Sequence, residues 1–101
     1  MLYVTQGTVQ VKRKTETDAD VCINPIPDYA VKHNGKEFIV FVEADAQSSQ
    51  PQSKVLEKTK AFAVEKYLVE MLTKAAFKGT KIEITMNADC KIEALKIPAM
   101  P

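Results

Sequence analysis

Glu83 and Glu93 are the first residues to test for chemistry, because they lie in two alternating apolar and polar stretches, residues 81–86 and 90–95, separated by Asn87-Ala88-Asp89. A three-residue turn there sets Ile84 opposite Ile92, Ile82 opposite Ala94 and Glu83 opposite Glu93. Two carboxylates at cross-strand distance share a proton or bind a cation, the basis of a small enzyme or ligand site. The commoner meaning of the pattern is a solvated sheet face on which Lys81 and Lys91 lie diagonally and screen the repulsion.

Lys12-Arg13-Lys14 is the one basic run, and with Tyr3 on the preceding stretch it could meet a phosphate backbone. Glu16, Asp18 and Asp20 follow at once and cancel much of its field. His33 is the single histidine and sits beside an Asn-Gly turn, where an exposed, inert imidazole is expected. Cys22 and Cys90 lack CxxC spacing and are too few for a disulfide framework or a structural zinc site, so they read as buried small hydrophobes. Three scattered glycines, at 7, 35 and 79, form no phosphate-cradling loop. No catalytic constellation, metal set or cofactor motif stands out, and the expectation is a non-catalytic protein without a cofactor.

The elements that must position these residues belong to a single domain spanning 1–101, since a chain of 101 residues has room for one core. Hydrophobic residues at 46% and charged residues at 27% are ordinary for a folded globule. A net charge of +1 provides no global field toward nucleic acid or anionic lipid. The first residues carry neither a basic leader nor a sustained apolar run, so the expectation is a cytoplasmic protein with no membrane partner.

Residues 2–12 alternate as a strand, with an apolar phase that moves from Leu2 and Val4 to Val9 and Val11 across Gly7, implying a bulge or bend. Residues 12–20 read as a polar excursion, followed by a short strand at Val21-Cys22-Ile23 that Pro25 and Pro27 exclude from a central position. His33-Asn34-Gly35-Lys36 predicts a type I′ hairpin, with Val31 facing Phe38 and Tyr29 facing Val40. The second strand, residues 38–42, is apolar on both faces, so its outer face needs cover from residues 21–27 or from another chain. The polar tract 46–53 reads as a loop, and Ser49-Gln50-Pro51-Gln52 resembles a capping box, with Ser53 an equally good cap.

From Ser53 a helix is expected to run to Lys78 and stop at Gly79. Its main stripe is Ala61, Val64, Leu68, Met71, Leu72 and Ala75; a second seam, Val55, Phe62, Val69 and Ala76, recurs every seven residues. The expected fold is therefore α+β, a small antiparallel sheet of about five strands with one long helix on one face, in the order β-β-β-β-α-β-β. The surplus apolar positions Ile39, Phe41, Val55, Phe62, Val69 and Ala76 point to an interaction or assembly module, a homodimer or a subunit bound to another protein. Nucleic-acid binding through Lys12, Arg13 and Lys14, and the Glu83/Glu93 site, are the alternatives.

Overall fold

The computed structural model describes residues 2–44 and 53–97. They form an α+β structure, one sheet of eight strands and one helix. In chain order these are β1 (Leu2–Arg13), β2 (Ala19–Pro25), β3 (Ala30–His33), β4 (Lys36–Glu43), β5 (Ser53–Glu57), β6 (Ala61–Ala63), α1 (Lys66–Lys78), β7 (Ile82–Asn87) and β8 (Ile92–Lys96). The strands outnumber the expected five, and the helix has 13 residues instead of starting near Ser53. The reason is that residues 53–63 find edges to pair with: β5 adds to β4, and β6 adds to β2. Backbone pairing with strands distant in sequence outweighs the helical spacing of their apolar residues. The seven-residue seam accordingly does not exist as a helix face, since Val55 lies on β5 and Phe62 on β6.

β1 organises the sheet by changing partners along its length. Residues 2–7 pair with β7, residues 7–13 pair with β2, and Tyr3 and Val4 also meet the end of β4. Gly7 belongs to both ladders, opposite Pro25 on one side and Ile82 on the other. No change of apolar phase occurs there: Thr5, Gly7 and Val9 are all buried on one face, with Tyr3 and Val11 packed at its ends. Thr5 is the polar member of that row, fully buried, and its hydroxyl has no hydrogen-bond partner among the described residues. Thr5→Val, which keeps the shape and removes the unpaired hydroxyl, is expected to stabilise the fold by about 1 kcal/mol, read as a higher denaturation midpoint in urea.

β2 is flanked on both sides, by β1 along its whole length and by β6 at residues 19–21, so it is not the edge segment its prolines implied. Pro25 sits beyond the stretch that β6 covers, where its missing N–H costs no pairing with that strand. β6 in turn reaches the residue just before β8 through a parallel bridge between Phe62 and Lys91, and the Phe62 N–H donates to the Cys90 carbonyl at 3.1 Å. The five strands therefore form a ring, β1-β2-β6-β8-β7 and back to β1, with α1 between its third and fourth strands in chain order.

β3, β4 and β5 are an insertion between the second and third strands of that ring. The Asn34-Gly35 turn forms as expected, with φ of 52° and 79°, and pairs Val31 with Phe38. The ladder ends at Ala30, because Pro27–Tyr29 make a single 3-10 turn, so Tyr29 does not pair with Val40. Ile39 and Phe41 point into the main core, together with Val21, Ile23, Leu68, Val69, Leu72 and Ile84. α1 starts without a side-chain cap at Glu65 and ends, as its glycine predicts, in a left-handed Gly79 whose N–H reaches the Ala76 carbonyl. Of the loop tract 46–53, residues 46–52, with the capping box Ser49-Gln50-Pro51-Gln52, lie outside the described residues, and Ser53 opens β5 instead of capping a helix.

Candidate functional site

Four side chains, three from β1, β2 and β6 and one from the residue just before β8, lie side by side on the outer surface of the ring. Lys12 is paired with Asp20, Asp20 with Phe62, and Phe62 with Lys91. Paired residues share a face, and neighbouring strands are about 4.8 Å apart, so the row crosses the sheet at right angles to its strands. Local alternation fixes the facing: Ala61 and Ala63 are buried, which turns Phe62 outward, and Ala19 and Val21 do the same for Asp20.

Two concavities flank Asp20. One, of about 390 Å³, is lined by Gln10, Lys12, Cys22 and Thr59 among others. The other, of about 280 Å³, has Lys14, Asp18, Lys60, Phe62 and Val64 in its wall. Lys14 reaches Asp20 at 3.3 Å across an exposed pair, and Lys91 lies 4.0 Å from Glu93. Arg13 donates to the Glu16 carbonyl at 3.2 Å, folding back over its own loop. Thr15 Oγ1 accepts from the Thr17 and Asp18 N–H groups at 3.2 and 3.0 Å, which ties the 14–18 loop into a turn. The basic run thus divides: Lys12 stands in the row, Lys14 at its margin, and Arg13 in the loop.

The other loop beside the row joins β7 to β8. Asn87 Oδ1 accepts from the Asp89 and Lys91 N–H groups, and Cys90 takes a left-handed φ of 70°. The turn therefore occupies residues 88–90, one position later than expected, and a bulge follows between Thr85 and Met86. That shifts the whole ladder: Ile84 pairs with Leu95, and Glu83 faces Lys96, not Glu93. Glu93 instead accepts from the Asn87 amide at 2.8 Å beside Lys91, as part of the loop's own support. The two glutamates are not brought together as a carboxylate pair.

Lys54 of β5 extends over the Tyr3 ring, 5.9 Å from its centre, and donates to the Ala88 carbonyl, linking the insertion to this loop. His33 is exposed at the hairpin tip, and both cysteines are free and half-buried, more open than their reading as core residues. Of the six positions expected at a protein contact, Ile39, Phe41 and Val69 are buried within this chain and Ala76 packs against its core. Val55, 53% exposed, and Phe62, half-buried, retain outer surface. Glu37 on β4 is held below the usual carboxylate range by its 2.8 Å contact with Lys58. What that pair contributes to stability is complete above the ordinary glutamate range and fades as pH falls through the lowered value.

Among the described residues no helix is long and apolar enough to cross a membrane. Compared with protein-family models, with curated proteins and with solved structures, the chain gives no match, and its own geometry is what speaks for its function.

Proposed function

We propose that the chain binds single-stranded nucleic acid across the outer face of β2 and β6, with Phe62 as the stacking platform and Lys12, Lys60 and Lys91 meeting the phosphates. The observation that carries this is the row Lys12, Asp20, Phe62, Lys91, an aromatic ring in a sheet face with a cation at each end of the row. Aromatic side chains in a positively charged groove are how sequence-tolerant single-strand binders work.

The connectivity supports the same reading. A five-stranded Greek-key barrel, with its helix between third and fourth strands and a first strand shared by both halves, is the plan of OB-type barrels. Those barrels take oligonucleotides and oligosaccharides on the face of their second and third strands and on the loops joining strands one to two and four to five. In this chain those positions are β2, β6, the 14–18 loop and the 88–90 loop. Fold alone does not decide function. The lysines favour a polyanion over a neutral sugar.

Fluorescence anisotropy with a labelled oligothymidine at low and at physiological salt tests it. Phe62→Ala is expected to weaken binding roughly 5- to 150-fold, the loss of one stacked base, and Lys12→Ala with Lys60→Ala to flatten the salt dependence. Absence of binding at low salt, or full binding by a folded Phe62→Ala variant, overturns the proposal.

Assembly is a second reading that one observation favours. Val4, Val31, Phe38, Val40, Val42 and Val55 share the outer face of the inserted strands through the pairs Val4–Val42, Val31–Phe38 and Val40–Val55. Val31 and Val55 are 42% and 53% exposed, and contiguous apolar patches mark association surfaces. Light scattering that shows a dimer, dispersed by Val55→Asp, would support it; a monomer at every concentration would remove it.

A further inference from the structure

A second apolar surface lies elsewhere in the fold, where the C-terminal half of α1 runs beside β8. Met71, Lys74, Ala75 and Lys78 of the helix and Leu95 and Ile97 from the strand side enclose a groove of about 200 Å³. Its apolar rim is open to solvent, with Met71 44% and Ile97 64% exposed. The charged residues in its wall are Lys74 and Lys78; no carboxylate lines it, and no described carboxylate forms an ion pair with either lysine. β8 pairs with β7 along one edge; its other edge meets β6 only at the Phe62–Lys91 bridge that precedes it, and along Ile92–Lys96 has no strand partner among the described residues.

We propose that this groove receives an extended acidic segment of a partner protein, added as a strand to the free edge of β8. Backbone hydrogen bonds along the edge would supply affinity, and alternate side chains would supply selectivity. An apolar side chain would fill the space between Met71, Leu95 and Ile97, and the carboxylates flanking it would meet Lys74 and Lys78. Charge complementarity selects this occupant: two lysines with no acidic neighbour in the wall repel a basic segment and attract an acidic one. A second copy of the chain, nearly neutral overall, has no comparable claim on the groove.

The probe is a short fluorescent peptide alternating leucine with aspartate and glutamate, compared with one alternating leucine with lysine. The acidic peptide should bind saturably at low salt. Lys74→Glu with Lys78→Glu, and separately Ile97→Asp, should each weaken it roughly tenfold or more, while Lys36→Ala, on the exposed β3–β4 hairpin, leaves it unchanged. All these side chains are exposed or half-buried, and circular dichroism verifies that the variants fold. Equal affinity for the basic peptide, no saturable binding, or indifference to both sets of substitutions overturns the proposal. So does a dimer in light scattering that Ile97→Asp dissolves, because a second copy would then occupy the groove.

Discussion

Gly7→Ala is expected to cost about 3 kcal/mol or more of folding stability, read as a large fall in urea midpoint. A β-carbon at this position would lie 2.2 Å from the Asn24 carbonyl oxygen and 2.8 Å from both the Asn24 carbonyl carbon and the Pro25 Cα. Every one of those atoms is backbone, so no side chain can turn aside. β2 would have to separate from β1, and the distortion would reach β7 because Gly7 is the residue both ladders share. Gly79→Ala is the control. Its φ of 66° carries a conformational cost of about 1 kcal/mol, but an added β-carbon meets open space. A larger loss at Gly7 than at Gly79 identifies close backbone approach, not φ, as the origin. Equal losses would mean that β1 and β2 are not packed this tightly at Gly7.

The contrast between these glycines shows what the sequence could and could not disclose. Asn34-Gly35 and Gly79 were legible because their effect is local: each sets the φ of its own turn, and the chain on either side follows. Gly7 was legible only as an irregularity. What requires it is Asn24, seventeen positions away, which no window of neighbouring residues contains. The start of the helix failed for a related reason. Lys54 to Phe62 have acceptable helical spacing, and the edges of β4 and β2 that draw them into strands are a property of the assembled sheet. The last hairpin failed by register, since its left-handed residue is Cys90, a type that seldom adopts that conformation, and not the glycine or asparagine that usually announces it.

The candidate site was legible in fragments. In the sequence Lys12 is conspicuous as charge and Phe62 as surplus apolar surface, features that point to different functions. Only the pairing of β1 with β2, β2 with β6, and β6 with β8 sets them in one row. One available signal was the small-large-small alternation Ala61-Phe62-Ala63, which fits a strand with a single outward aromatic better than it fits a helix. Ile39 and Phe41 look like contact residues in the sequence because the strand carrying them is apolar on both faces; composition alone does not tell which face the core takes.

Phe41→Ala settles what the inserted strands contribute, with an expected loss of about 3–5 kcal/mol in equilibrium denaturation. Phe41 is fully buried, as is Ile39 at 1% exposure, and both belong to the same cluster as Leu68 and Leu72 of the helix and Ile84 of β7. Removing the ring leaves a cavity lined by side chains of the helix and of paired strands, so collapse around it is limited. A domain of this size has a total stability of roughly 5–15 kcal/mol, so the loss is a substantial share of the whole. Val55→Ala, on the exposed face of the same insertion, should change stability by less than about 0.5 kcal/mol. If Phe41→Ala were as mild as Val55→Ala, the insertion would be an appendage to a ring that folds without it. A severe loss instead means that the ring and the insertion share one core, and that the row from Lys12 on β1 to Lys91 beside β8 depends for its rigidity on strands that contribute nothing to its surface.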